Sequence, residues 1–255
     1  MEQTGLSERV AREKAAYDGG TVFQNSSKLQ ARFYHVFSCP NSQHAERVFE
    51  ESIVSYAKGR DILDYGCLGG GDAPRYRAMG ARNITGIDIS ETGIAEANAN
   101  FGAFAKFFVA DAHSMPFEDN SFDLVVGRAI LHHLNLDRAL NEIRRVLRPG
   151  GSAIFIEPLG GNPGAKFIRA LTPRARTADE RALTRQDIVK GNVVFGGESH
   201  HFFNLVSVPV AMLTSLTPMG PDNILLRLAD IPDRILARSP LKYWMRMAVL
   251  VWHKA

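Results

Sequence analysis

The chain has 255 residues, and 30 Lys plus Arg against 27 Asp plus Glu leave a formal charge of only +3. That balance offers no basic surface of the kind nucleic-acid binding demands, and an apolar content of 45% suffices for a packed core without disulfides or metal. The two cysteines, Cys39 and Cys67, exclude a disulfide scaffold and point to a reducing, cytoplasmic compartment.

The stretch 1–18 is charged and lacks an apolar centre, so it does not read as a signal peptide. Residues 1–59 read as a helical cap, in which Ser42 is placed to cap a helix carrying Val48, Phe49 and Val54, closed by Lys58-Gly59. From Asp61 onward, short apolar runs at 61–64, 84–88, 106–110, 122–127 and 152–157 alternate with helical segments. Such alternation predicts βαβ units and a parallel sheet with helices on both faces, over a core spanning 60–157. Asp137 is placed to cap a helix whose Leu140, Ile143, Val146 and Leu147 share a face, ended by Pro149-Gly150-Gly151.

Past Glu157 the regularity loosens, and 158–255 reads as a lid, a helical insertion and the remaining strands. Residues 158–181, rich in Gly, Pro and Arg, read as a long loop. Thr184 and Asp187 form a capping signal for a helix to about Lys190, and 195–203 is a candidate strand. Ile224, Leu225, Leu228, Ile231 and Ile235 fit an amphipathic helix with Pro232 as a kink or break, and 244–252 is a final strand. The uncharged run 202–219 is broken by Asn204, Pro209 and Pro218. A spanning helix needs ~20 mostly apolar residues, so no stable membrane insertion is expected.

The most informative segment is Ile62-Leu63-Asp64-Tyr65-Gly66-Cys67-Leu68-Gly69-Gly70-Gly71, an apolar run, an acid and a glycine-rich turn before a helix. Glycines let a ligand approach the main chain, and a helix start offers free N–H groups, so this is a nucleotide-type pocket at a strand end. Asp64, Asp88 and Asp111 recur at successive strand ends. An acid at the second position accepts hydrogen bonds from ribose hydroxyls; one at the third can hold an adenine amino group. A dinucleotide fingerprint fails, because G-x-G-x-x-G started at Gly69 places Pro74 at the third glycine.

LDYGCLGGG (63–71), GIDIS (86–90), ADAHSMPFEDNSFDLVV (110–126) and HHLNLDRALNEIRRVLRPGG (132–151) together resemble the class I S-adenosylmethionine-dependent methyltransferases. The resemblance implies a Rossmann-like α/β fold with a seven-stranded, mostly parallel sheet and an antiparallel last strand. It places the methionine part of S-adenosyl-L-methionine on the turn holding Asp64, Gly66, Cys67, Gly69 and Gly70, and the ribose on Asp88. The adenine falls near Ile89, Asp111 and Ala112, with Arg128 lining the cofactor. Leu68 departs from the family's D-x-G-x-G-x-G. Either it adopts a left-handed backbone at a cost of ~1–2 kcal/mol, or a one-residue insertion shifts the turn to Gly69 and Gly71.

Methyl transfer asks mainly for alignment, with a general base for a hydroxyl or amine acceptor. His133, His200, His201 and Glu157 are the candidates for that base. Adjacent side chains diverge, so neither histidine pair suggests a metal site and none is expected. Arg169, Arg174, Arg176, Arg181 and Arg185 have Asp179, Glu180 and Asp187 close by to neutralise them. The expected protein is a methyltransferase acting on O, N or C of a small, hydrophobic metabolite, working as a monomer or homodimer. The alternatives are a cyclase or other non-methylating enzyme on the same fold, or a non-catalytic partner subunit.

Overall fold

A computed structural model describes residues 2–18, 27, 28, 30–163, 166 and 180–255. The five apolar runs form β1 (Asp61–Tyr65), β2 (Asn83–Asp88), β3 (Lys106–Val109), β4 (Phe122–Arg128) and β5 (Leu147–Pro158). They lie parallel in the order β3-β2-β1-β4-β5. The helices following the first strands are α4 (Ala73–Ala78), α5 (Glu91–Phe101) and α6 (Leu136–Val146), preceded in the chain by α1 (Glu2–Asp18), α2 (Tyr34–Ser38) and α3 (Pro40–Ala57). Alternate residues of each strand point to opposite faces. Leu63, Val125, Ala153 and Phe155 pack on one side with Leu140 and Ile143 of α6. Ile62, Leu124 and Ile154 pack on the other with Phe49 and Ile53 of α3 and Ile94 of α5.

The sheet is completed by β6 (Gly196–Glu198), β7 (His201–Phe203) and β8 (Met247–Lys254), after α7 (Arg185–Phe195). β8 lies antiparallel between β5 and the pair β6 and β7, both of which bond to it. The described sheet thus has eight strands rather than seven, because two three-residue strands share one position. The expected strand over 195–203 fails for a local reason. Phe195 still belongs to α7, Gly196 turns through φ 87°, and the His200 Nδ1 accepts the Val251 amide at 3.2 Å, interrupting the ladder.

Several local expectations are corrected. Helix α3 begins at Pro40 with Cys39 as its N-cap, and the Ser42 hydroxyl donates to the Val36 carbonyl at 2.7 Å instead of capping. Asn135, not Asp137, caps α6 by accepting the Arg138 amide at 3.2 Å; Asp137 sits in the first turn, where a negative charge favours the helix dipole. The capping box of Thr184 and Asp187 forms as expected, and Arg181 adds a bidentate pair to Asp187 at 2.9 Å. Most of the expected loop over 158–181, with Arg169, Arg174 and Arg176, lies outside the described residues.

The cap beyond β7 consists of α8 (Ser207–Thr214), α9 (Ile224–Leu236) and a 3-10 turn at Pro240–Trp244, so the last strand starts later than Trp244. α9 continues through Pro232. Its orientation reverses the expectation from its apolar pattern. Leu226, Ala229, Asp230 and Asp233 face inward, whereas Ile224, Leu225, Leu228, Ile231 and Ile235 are between 46% and 67% exposed. Asp233 fixes this rotation by accepting the amides of Leu205, Val206 and Ser207 and the Ser207 hydroxyl at 2.5–3.2 Å, which caps α8. Asp230 accepts the Asn41 amide group at 2.5 Å, tying α9 to α3.

Candidate active site

The glycine turn follows β1 directly. The amides of Gly66 and Cys67 both donate to the Ile87 carbonyl at 2.9 Å, clamping the turn to the end of β2. Gly66 and Gly70 have φ of 81° and 72°, and Leu68 has φ of 45°. Leu68 itself therefore takes the left-handed conformation, and the turn carries no shift to Gly69 and Gly71. The Leu68 amide donates to Asp88 Oδ2 at 2.9 Å, offsetting part of the ~1–2 kcal/mol such a backbone costs. Gly70 serves packing rather than the cofactor cleft: a Cβ there would meet the Phe107 ring at 2.9 Å, and the residue lines neither cleft cavity described below.

Two adjoining cavities open at the carboxyl ends of β1, β2 and β4, sharing Gly66, Leu68 and Arg128. The first is strongly acidic, lined by Glu46, Asp64, Asp72 and Glu96 beside Cys67 and Gly69. Its two arginines are engaged: Arg128 donates to Glu46 at 2.6 Å, and Arg75 pairs with Asp72 at 3.3 Å and with Glu50 at 3.4 Å. Burial, then the nearby Asp72 carboxylate, pushes the Asp64 carboxyl up to about 8, against the Tyr76 hydroxyl bond at 3.4 Å. Burial and neighbouring acids also push the Cys67 thiol up, so it is no nucleophile at neutral pH. With Asp64 protonated, Glu46, Asp72 and Glu96 still outnumber Arg75 and Arg128, so the lining stays net negative, which disfavours a pyrophosphate and suits a cationic ligand.

The second cavity is mostly apolar, lined by Ile87, Ile89, Ala110, Ala112, Ile130 and Leu134, with Asp88 and Asp111 at its edge. Asp88 accepts the Ser90 amide on Oδ1 and the Leu68 amide on Oδ2; burial raises its pKa although these amide bonds oppose the rise. Burial acts the same way on Asp111, but hydrogen bonds from the His113 amide and ring, at 2.9 and 2.6 Å, outweigh it and hold Asp111 below the ordinary value. Helix α1 roofs this cavity with Arg9, Val10 and Glu13. It is tied down where Arg9 donates to the His133 carbonyl at 2.7 Å, where Lys14 meets Glu91, and where Ser90 and Thr92 donate to Asp18 at 2.6 and 3.0 Å.

The candidate bases separate clearly. His133 lines the apolar cavity, its Nδ1 3.2 Å from Glu13 Oε2. Glu157 is fully buried and occupied: Oε1 accepts the amides of Ile130 and Leu131, and Oε2 faces His132 Nδ1 at 2.8 Å. It caps the 3-10 turn at Leu131–His133 and does not reach the cleft. His200 lines neither cavity; it bonds Asn192 at 2.8 Å and packs on Trp252, and burial, then the Lys242 charge, pushes its pKa down to about 4. His201 also lies outside both cavities, on the edge strand β7 opposite Val249. The expectation that paired histidines diverge fails at His132 and His133, whose rings lie 4.1 Å apart because the tight turn stacks them. One ligand atom from each and one from Glu180 lie within 4.8 Å of one another.

Sequence reading missed Glu46, Asp72, His113 and the α1 residues. All but Asp72 and His113 reach the cleft from distant chain segments, and those two sit in turns whose direction periodicity does not show. A second left-handed residue, Ala129 with φ 51°, lies beside Leu68 in the lining. Such strained positions persist where surrounding structure holds them.

Residues 63–155 match the family described as methyltransferase domain. The match takes in most of β1 to β5 and the glycine turn, the elements that build the cleft, and covers less than half of the chain. The chain is similar to a sterol 24-C-methyltransferase of Gibberella zeae, with 38% identity over 104 residues that cover 38% of this chain and 27% of that relative. It is also similar to demethylmenaquinone methyltransferase of Staphylococcus aureus, with 36% identity over 145 residues covering 53% of this chain and 58% of the relative. The match thus spans about half the length of the latter and about a quarter of the former.

Two solved structures share the fold. Geranyl diphosphate C-methyltransferase from Streptomyces coelicolor, solved with S-adenosyl-L-homocysteine, aligns at a TM-score of 0.57 with 14% identity, covering 84% of this chain and 81% of that one. The [4+2]-cyclase SpnF aligns at 0.51 with 21% identity, covering 84% and 82%. One fold thus serves different chemistries, and the site must decide between them.

Proposed function

We propose that the chain is an S-adenosyl-L-methionine-dependent methyltransferase that methylates O, N or C of a small, hydrophobic acceptor. The observation that carries this reading is the pairing of an acidic vestibule with an apolar pocket across Gly66, Leu68 and Arg128, with Asp88 on the apolar side. The vestibule suits the cationic methionine end, Asp88 offers its remaining lone pairs to the ribose hydroxyls, and the adenine fits between Ile89, Ala112, Val10 and Leu134. Asp111, with one oxygen committed to His113, has its second oxygen for the adenine amino group. The names of the relatives, a sterol and a demethylmenaquinone methyltransferase, support a lipid-like acceptor.

When bound, the cofactor supplies an activated methyl group on sulfur. The protein's part is to align the acceptor, exclude water under the α1 roof, and take up the acceptor's proton. His133 is the proposed proton acceptor, oriented by Glu13. Isothermal calorimetry tests the cofactor assignment: the wild type binds S-adenosyl-L-methionine and not NAD, and Asp88→Ala weakens binding about tenfold or more. Absence of binding by the wild type sinks the proposal. Labelled methyl transfer to a lipid extract then separates a methyltransferase from a cyclase or partner subunit. His133→Asn is expected to lower kcat about 100-fold with a much smaller loss of cofactor affinity.

A further inference from the structure

Exposed large apolar side chains concentrate in the cap, where Leu213, Leu216, Ile224, Leu228, Ile231 and Ile235 are each at least 55% exposed. The cap cannot bury them by rotating α9, because that would tear Asp233 from three backbone amides and Asp230 from Asn41. The outward apolar face is therefore built in. Trp244, also more than half exposed, follows in the 3-10 turn that packs against α9.

We infer that this face docks on the surface of an anionic lipid bilayer. The charge pattern selects that occupant. From Asp222 to Trp244 the acids Asp230 and Asp233 are buried and the exposed Asp222 pairs with Arg227 at 2.7 Å, while Arg234, held by Asp230 at 2.7 Å, and Arg238 are exposed. Against the one exposed acid, Asp222, stand three exposed arginines, so the exposed charge of this stretch is net positive, and it flanks an aliphatic face with a tryptophan at one end. A helix of this make-up lies in the plane of the interface, its apolar side in the acyl boundary and its cations at the headgroups. No described helix is long and apolar enough to cross a membrane, so attachment is peripheral. The docking rests on packing and charge alone and does not depend on the cofactor assignment.

Co-sedimentation of the full chain with vesicles tests it, using phosphatidylcholine mixed with phosphatidylglycerol and phosphatidylcholine alone. The wild type is expected to pellet with the mixed vesicles and much less with the neutral ones. Leu228→Asp with Ile231→Asp should weaken partitioning about tenfold or more, since two buried side chains are lost from the lipid phase. Arg238→Glu should weaken it on the mixed vesicles only, which keeps the test intact if the double variant misfolds. Wild type left in the supernatant, or variants that pellet like wild type, overturn the proposal. So does a dimer by sedimentation velocity that these substitutions split while no vesicle binding occurs; the face then belongs to a second copy. Calorimetry with S-adenosyl-L-methionine on the same samples reports the cofactor assignment separately.

Discussion

Helices α6 and α9 are both amphipathic, yet they face opposite ways. α6 buries its apolar stripe, Leu136, Leu140, Ile143 and Val146, against the sheet, as its spacing predicts. α9 buries two aspartates and turns its aliphatic stripe to solvent. Periodicity therefore defines an axis across a helix but not which end of the axis points inward. That choice falls to the polar partners waiting on the body of the protein. For α9 these are the unpaired amides at the start of α8, which need a carboxylate more than the core needs another isoleucine. A similar contrast divides the two regions' buried acids. Asp233 accepts four hydrogen bonds, whereas Asp64 has the Tyr76 hydroxyl at 3.4 Å and two nearby carboxylates.

These contrasts can be broken by substitution. Ile143→Ala should destabilise the protein by about 2–5 kcal/mol in urea unfolding, the range for a cavity in a close-packed core. Asp233→Ala should cost about 3 kcal/mol, because buried amides lose their acceptor, and α8 should lose hydrogen-exchange protection with it. Asp64 makes a signed prediction about pH. Its folded pKa of about 8 lies above the ordinary 3.8, so the folded state holds the proton and stability falls as pH rises between those values. Asp64→Asn should match wild type near the lower value and exceed it near the upper. Affinity for a cationic ligand should rise through the same window, with proton release on binding, and Asp64→Asn should flatten that rise. Leu68→Gly should stabilise the fold by about 1 kcal/mol in thermal unfolding, by releasing a left-handed branched residue. Ile231→Ala should change stability by less than about 0.5 kcal/mol, the mirror of Ile143→Ala on an exposed face.

The parallel half of the sheet was legible because its inner strands β1, β2, β4 and β5, mostly buried on both faces, read as continuous apolar runs; edge strand β3 reads likewise although Phe108 and Val109 are exposed. The acids of the two cavities were legible for the same reason: Asp64, Asp88 and Asp111 sit at or just past the ends of those runs. Residues that reach the cleft from elsewhere, such as Glu13 and Glu46, carried no local signal, since only tertiary folding brings them there. The strand over 195–203 was misread because one histidine ring substitutes for a backbone acceptor. Glu157 looked like a base from its place at a strand end, but the two amides and imidazole that surround it are invisible in a linear pattern.

Helix α1 closes the apolar pocket through Arg9, Lys14 and Asp18, polar ties from its middle to its C-terminal end. Contacts of that kind weaken as ionic strength rises, unlike the apolar packing beneath them. Added salt should therefore loosen the Lys14–Glu91 tie of the roof more than the apolar floor. Residence time of whatever lies beneath is set by the roof, so it should shorten in concentrated salt even where the fold itself is unaffected.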